Sequence, residues 1–184
     1  MTFVVVYDAH VLYPSTLRDV LIHVALAGLV QAKWTDAILD ETFRNLERNR
    51  PDLDQAKVQR TRSLMRTAVR DSLVTDYEDL IPLVNLESDR DDRHVVAAAI
   101  KARAQVIVTF NLADFPAAEL AKWDLEAKHP DDFLVDQFYL DAAAMHRTIQ
   151  SITDSWKNPP GTAEDVLNSM ERDKLPQIAA LLRR

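Results

Sequence analysis

The segment Asp89–Phe115, DRDDRHVVAAAIKARAQVIVTFNLADF, contains a helix-like and a strand-like apolar stretch with acidic residues at both ends. Its periodicity predicts a helix over residues 91–103 and a strand over residues 105–109. A helix that feeds a parallel strand begins near the carboxyl edge of the sheet. We therefore expect Asp92, which opens the helix, and Asp114, which follows the strand, at that same edge. The helix and the strand are then scaffold, and the acids at their ends mark a site.

The rest of the chain predicts the same alternation of strands and helices. The other expected elements are a strand over Phe3–Tyr7, helices over 14–29, 36–48 and from Pro51, short helices over 76–80 and 116–122, an edge strand over 125–128, and a long helix from Pro130 to about Trp156. Strands that alternate with helices predict an α/β fold, a parallel sheet with helices on both faces. The sequence KNPPG at Lys157–Gly161 punctuates the chain. We expect a domain over residues 1–156 and an appendage of two short helices over residues 157–184.

Composition excludes several classes of protein. The 184 residues suit one compact domain, and the net charge of −7 argues against broad duplex binding by charge alone. With only Gly28 and Gly161, the chain cannot form the glycine motifs of dinucleotide-binding, P-loop or α/β-hydrolase sites. It has no cysteine, no secretory signal pattern and no apolar stretch long enough to span a bilayer, which together predict a cytoplasmic protein without a membrane segment.

The candidate site is a group of carboxylates that topology brings to one edge of the sheet. Asp8 directly follows the first strand, so it joins Asp92 and Asp114 there, with Glu41 of the second helix close behind. Carboxylates packed together repel each other, and a divalent cation such as Mg²⁺ removes that repulsion. A metal held there would support hydrolysis of a phosphodiester.

Each candidate also has a purely structural interpretation. Asp8 can be a turn former, Glu41 an exposed helix acid, and Asp114 a helix cap. Asp92, like Asp89 and Asp91, can be a partner of the helix dipole. Three further residues lie near these acids in the sequence: Thr109, Asn111 and His10. We predict that they support the ligands or contact the substrate. Their structural interpretations are a strand residue, a turn residue and a surface residue.

Five blocks of sequence carry a resemblance to a known family. They are VVVYDAHVLYPSTLRDVLIHVA from Val4, WTDAILDETFRNL from Trp34, DRDDRHVVAAAI from Asp89, VIVTFNLADFP from Val106 and HPDDFL from His129. In this order and spacing they resemble the PIN domain family, in particular the VapC-like toxins of bacterial toxin–antitoxin pairs, over about residues 3–135. The resemblance implies a three-layer α/β/α fold with a central parallel sheet of four or five strands. It also implies a Mg²⁺-dependent endoribonuclease in which Mn²⁺ can substitute, an RNA substrate, a homodimer and an inhibiting antitoxin.

The resemblance also assigns roles to individual residues. It makes Asp8 and Asp92 direct Mg²⁺ ligands and Glu41 an acid that acts directly or through water. Asn111 or Asp114 then fills the fourth position, with Thr109 behind the ligands. His10 departs from the family pattern, because it stands where Asn, Ser or Thr is expected.

Three other functions fit parts of this pattern. A haloacid-dehalogenase-type phosphatase needs a second Asp two residues after the nucleophile, where this chain has His10. A receiver domain needs a lysine after a late strand, and none is well placed. A non-catalytic module that docks RNA or a protein in an acidic groove remains compatible with the sequence.

Overall fold

The core of the protein is a four-stranded parallel sheet. The computed structural model describes residues 2–87 and 90–184 and places the strands in the order β2-β1-β3-β4. The strands are β1 (Phe3–Tyr7), β2 (Val30–Lys33), β3 (Val106–Val108) and β4 (Glu126–Lys128). Every pair is parallel, so the carboxyl ends of β1 and β3 meet at one edge, with Tyr7 opposite Val108. This arrangement confirms the predicted parallel sheet.

Helices flank the sheet in a three-layer α/β/α fold. They are α1 (Ala9–Leu12), α2 (Ser15–Leu26), α3 (Asp36–Asn49), α4 (Gln55–Ala68), α5 (Arg93–Ala102), α6 (Ala117–Leu120), α7 (Pro130–Leu140), α8 (Ala142–Ser155), α9 (Ala163–Arg172) and α10 (Pro176–Leu182). Three 3₁₀ turns cover Glu78–Leu83, Leu112–Asp114 and Ala121–Trp123. The segment quoted at the start of the sequence therefore forms α5 and β3, as its periodicity predicts. Asp89 lies outside the described residues.

Sequence patterns fix several helix ends. Thr35 begins α3 as predicted, because its Oγ1 accepts a hydrogen bond from the Ile38 backbone N–H at 3.0 Å. The helix expected from Pro51 begins instead at Gln55. The side chain of Asp54 accepts from the Ala56 N–H at 2.9 Å and caps α4 there. A proline is permitted in a first helical turn, but the capping acid three residues later decides where this helix begins.

Two further expectations about elements were wrong. The helix expected to reach residue 29 ends at Leu26, where Gly28 adopts a φ of 77°, and the chain then forms β2 at the edge of the sheet. The long helix expected from Pro130 is two helices separated at Asp141, whose φ of −154° is not helical. Its side chain accepts from the Ala144 N–H at 2.8 Å and so starts α8 as a new helix.

The C-terminal helices α9 and α10 pack against the rest of the protein. The buried carboxylate of Asp131, on α7, accepts hydrogen bonds from the backbone N–H groups of Gln177 at 3.0 Å and Ile178 at 2.9 Å. These are among the N–H groups that the start of a helix leaves unpaired. Ser169 of α9 lies 2.8 Å from Thr16 of α2, oxygen to oxygen. The extension is thus attached to both α7 and α2, and the division after residue 156 stays a prediction.

Candidate active site

Asp8 stands at the junction of β1 and α1 and is held by its neighbours on both strands. Its Oδ1 accepts a hydrogen bond from the Ala9 backbone N–H at 2.7 Å, which caps α1. Its Oδ2 accepts from the Thr109 hydroxyl at 2.9 Å. The same hydroxyl oxygen accepts from the Asn111 backbone N–H at 3.1 Å. Thr109, which follows β3, therefore fixes the orientation of the acid that follows β1.

A cleft of about 530 Å³ opens at this edge of the sheet. Its lining residues come from four parts of the chain and are His10, Ala37, Asp40, Glu41, Arg44, Asn45, Asp91, Asp92, His94, Asn111 and Asp114. Of the seven predicted site residues, the cleft is lined by His10, Glu41, Asp92, Asn111 and Asp114. Asp8 and Thr109 are buried and are not lining residues; His10 Nδ1 lies 3.5 Å from Asp8 Oδ2 and connects the cleft to them.

The two histidines of the cleft have pKa values shifted in opposite directions. The hydrogen bond with Asp8 raises the pKa of His10 above its ordinary value, and the charges of Glu41 and Asp92 add to this effect against desolvation. Burial lowers the pKa of His94, and the nearby carboxylates offset this only in part. The Nδ1 atom of His94 is buried and has no hydrogen-bond partner in the described part of the chain. The cleft thus holds one imidazole whose cationic form is stabilised by contact with Asp8 and one whose cationic form is disfavoured by burial.

Helix α3 contributes more of the cleft than the sequence interpretation assigned to it. Besides Glu41, its residues Asp40 and Asn45 line the cleft, and neither was a candidate. Residues three and four apart lie on one face of a helix, so the run Ala37, Asp40, Glu41, Arg44 was the available signal. Arg62 of α4 forms an ion pair with Asp40, which partly neutralises that carboxylate.

The residues of the cleft suit a divalent cation that keeps much of its water. Among residues 2–87 and 90–184, no three His, Cys, Asp or Glu side chains come close enough together to form a complete metal-binding group. Mg²⁺, however, is commonly bound through only one or two carboxylates and retains several waters. Carboxylate and amide oxygens are the donors this ion prefers, and the cleft wall offers both. The assignment of Asp8, Asp92 and Asp114 as ligands therefore remains a prediction that the donor chemistry supports.

Comparison with known proteins agrees with this architecture. The family model "PIN domain" matches residues 4–113, and the model "VapC50 C-terminal domain" matches residues 130–184. A relative from Mycobacterium tuberculosis (strain ATCC 25618 / H37Rv), named "Putative ribonuclease VapC50", is 43% identical over 108 residues, which cover 59% of this chain and 62% of the relative. The match thus spans less than two thirds of the relative's length. No solved structure matches the chain.

The described residues include no helix that is both long and apolar enough to cross a membrane.

The PIN domain model covers more than half of the chain, including Asp8, Glu41, Asp92 and Thr109. It ends at residue 113, and the VapC50 C-terminal model begins at α7. The chain belongs to the PIN domain family.

Proposed function

We propose that the protein is a Mg²⁺-dependent endoribonuclease that hydrolyses phosphodiester bonds of RNA. The observation that carries this proposal is the convergence of Glu41, Asp92 and Asp114, from three separate parts of the chain, on one cleft whose His10 contacts Asp8. The family supports nuclease chemistry, and the relative from M. tuberculosis is named a ribonuclease. Mn²⁺ is expected to replace Mg²⁺, because both accept oxygen ligands.

The residues of the cleft divide the work of such a reaction. Asp8, Asp92 and Asp114 hold the ion, which when bound acidifies a water and neutralises charge on the phosphate oxygens. Thr109 keeps the Asp8 carboxylate in one orientation through its 2.9 Å hydrogen bond. Glu41, which lines the cleft from α3, orients the attacking water through a hydrogen bond.

Cationic groups at the cleft offer contacts for the phosphate itself. Arg44 lines the cleft one helical turn beyond Glu41, and a guanidinium matches phosphate oxygens in geometry and charge. His10, whose pKa is raised, adds a second donor next to Asp8. Both groups attract a phosphate backbone into a cleft that is otherwise acidic.

The biological setting follows from the VapC-like character of the chain. We propose that the protein is the toxin of a toxin–antitoxin pair, acts in the cytoplasm as a homodimer, and is inhibited by a cognate antitoxin that blocks the acidic cleft. The two family models and the relative support the VapC-like character of the chain, and the homodimer and the antitoxin are what that resemblance implies.

Cleavage of RNA with defined metals tests the proposal. A purified sample should cleave single-stranded RNA with Mg²⁺ or Mn²⁺ and lose activity with EDTA. Asp8→Asn and Asp92→Asn should each lower the rate at least a hundredfold, since each removes a metal ligand. Asp79→Asn is the matched control, because it removes one exposed carboxylate that does not line the cleft. Full activity in both cleft variants would refute the site assignment.

A non-catalytic docking module is the second candidate. The spread of the carboxylates, with no three in metal-binding proximity among the described residues, is the observation that favours it. Such a module would bind RNA or a protein without cleaving any RNA under any divalent metal. Binding that persists in the Asp8→Asn variant, together with no cleavage by the unmodified protein, would establish docking in place of catalysis.

A further inference from the structure

A second depression, of about 390 Å³, lies next to the acidic cleft and differs from it in charge. We call it the α2–α4 groove; its polar lining residues are Tyr13, Ser15, Arg18, Arg50, Asp54, Lys57 and Thr61. Three of these are cationic and one is acidic. The lining charge is therefore positive, although the chain as a whole carries −7.

The groove and the cleft share two helices as walls. On α1, His10 lines the cleft, and Tyr13, directly after the helix, lines the groove. On α3, Asn45 lines the cleft and the next residue, Leu46, lines the groove. At 1.5 Å per helical residue, Arg50 lies about 13 Å along α3 from Glu41. The groove therefore adjoins the cleft across α1 and the C-terminal part of α3.

Arg18 gives the groove a cation that forms no ion pair with a carboxylate among residues 2–87 and 90–184. Arg18 as a whole is 8% exposed. Its guanidinium donates through Nη1 to the backbone oxygens of Leu12 at 3.0 Å and Tyr13 at 3.3 Å. Desolvation lowers its pKa, so the surroundings do not fully compensate the charge. Its Nε and Nη2 groups make no hydrogen bond within the described residues, so they remain able to donate to an anion.

The remaining cations, Arg50 and Lys57, are exposed. Lys57 belongs to α4, a helix that carries Lys57, Arg60, Arg62 and Arg66 and no acidic residue. Arg50 pairs bidentately with the exposed Asp52, through Nε at 2.9 Å and Nη2 at 2.8 Å, so a phosphate in the groove must compete with this carboxylate for the guanidinium. Asp54 is occupied as the cap of α4. An anion that enters the groove thus meets at least three hydrogen-bond donors and one aromatic ring.

We propose that the α2–α4 groove binds the RNA strand beside the scissile bond, with Arg18, Arg50 and Lys57 on phosphates and Tyr13 stacked on a base. This inference rests on the proposed nuclease function. A positively charged track with an aromatic platform is the arrangement by which proteins hold single-stranded nucleic acid. RNA fits better than an acidic protein segment, because the groove adjoins the cleft in which RNA would be cleaved.

The test compares RNA binding and cleavage in matched pairs of variants. Arg50→Ala with Lys57→Ala removes two exposed cations from the groove, and Arg147→Ala with Lys157→Ala removes two exposed cations elsewhere. Binding of a fluorescent 20-nucleotide RNA is measured by anisotropy in the Asp8→Asn background, where the RNA stays intact. The groove pair should weaken binding roughly tenfold and lower the salt slope by about 1.4, which is about 0.7 for each of the two phosphate contacts, while the control pair changes neither.

Tyr13 provides a second comparison. Tyr13→Ala should weaken binding of the same RNA roughly tenfold through lost stacking. Tyr13→Phe, which keeps the ring and loses only the hydroxyl that accepts from Asn49 at 3.3 Å, should bind as the parent does. Circular dichroism melts of each variant confirm that it is folded.

Cleavage of long and short substrates separates the groove from the catalytic residues. The groove pair should raise KM for the 20-nucleotide RNA about tenfold and leave cleavage of a dinucleotide unchanged, because the dinucleotide does not reach the groove. Unchanged binding and KM for the long RNA, with normal cleavage by the parent, would overturn this inference alone. Absence of cleavage by the parent would overturn the proposed function instead. A polyglutamate probe that loses affinity in the groove pair while RNA does not would assign the groove to an acidic protein segment.

Discussion

Replacing Thr109 by valine tests whether its hydroxyl holds the central acid of the cleft in place. Thr109 is fully buried, Asp8 is 2% exposed, and the hydroxyl donates to Asp8 Oδ2 at 2.9 Å. A hydrogen bond to a charged group contributes about 1.5–3 kcal/mol, and its loss leaves a buried carboxylate oxygen without that donor. The same change leaves the Asn111 N–H without its acceptor. Thr109→Val should therefore lower the free energy of unfolding by about 2 kcal/mol.

The assay is thermal and urea unfolding without divalent metal. For a chain of this length, about 2 kcal/mol corresponds to a fall in Tm of roughly 4–8 °C. Thr109→Ser is the matched control, because it keeps the hydroxyl and loses one methyl group, which costs about 1 kcal/mol. If side-chain volume decided the outcome, Thr109→Val would lower the free energy of unfolding less than Thr109→Ser. If the hydrogen bond decides it, Thr109→Ser should lower the free energy of unfolding less. A valine variant as stable as the serine variant would refute the bond.

A double-mutant cycle with Asp8→Asn then identifies the partner. Against a neutral acceptor the hydroxyl contributes only about 1 kcal/mol, so the cost of Thr109→Val should fall by about that amount in the Asp8→Asn background. Strict additivity of the two changes would show that the hydroxyl acts on something other than the carboxylate.

Two further predictions concern the metal at the cleft and the attachment of helix α10. Mg²⁺ should raise the Tm of the protein in differential scanning fluorimetry, since an ion at about 100 times its Kd adds about 2.7 kcal/mol to the free energy of unfolding. This gain should shrink in Asp92→Asn and persist in Asp79→Asn. An equal gain in both variants would place the ion elsewhere. Asp131→Asn should raise amide hydrogen exchange in α10 by weakening the hydrogen bonds that its buried carboxylate accepts from Gln177 and Ile178. Asp79→Asn, which removes an exposed carboxylate without a hydrogen bond to α10, should leave this exchange nearly unchanged, and identical exchange in both variants would contradict the attachment.

Local signals predicted the elements that carry the acids, and they failed where a neighbour decides the conformation. The β-branched runs identified β1 and β3 because both lie in the middle of the sheet and are buried on both sides. Strand β2 escaped notice because its four residues, VQAK, carry only two apolar side chains. The break at Asp141 was missed because apolar periodicity continues across it, although the capping aspartate was visible in the sequence.

The site was predictable to the level of the sheet edge and no further. Topology alone placed Glu41, Asp92 and Asp114 on one cleft. It did not show that Asp8 lies buried with His10 between it and the cleft, because that depends on side-chain packing across strands 101 residues apart. Nor did it show that Asp40 faces the cleft, since the ion pair with Arg62 joins two helices whose relative placement the sequence does not encode locally.

Cationic side chains at the cleft contact two of the acids in this region. Asp8 contacts the imidazole of His10 and raises the pKa of that imidazole. Asp40 contacts the guanidinium of Arg62. Each pairing reduces the repulsion among the carboxylates. Arg62 comes from α4, the helix that also supplies Lys57 to the α2–α4 groove. One acid-free helix thus supports the acidic cleft on one side and supplies a cation to the adjoining groove, which is why charge changes sign between two neighbouring depressions.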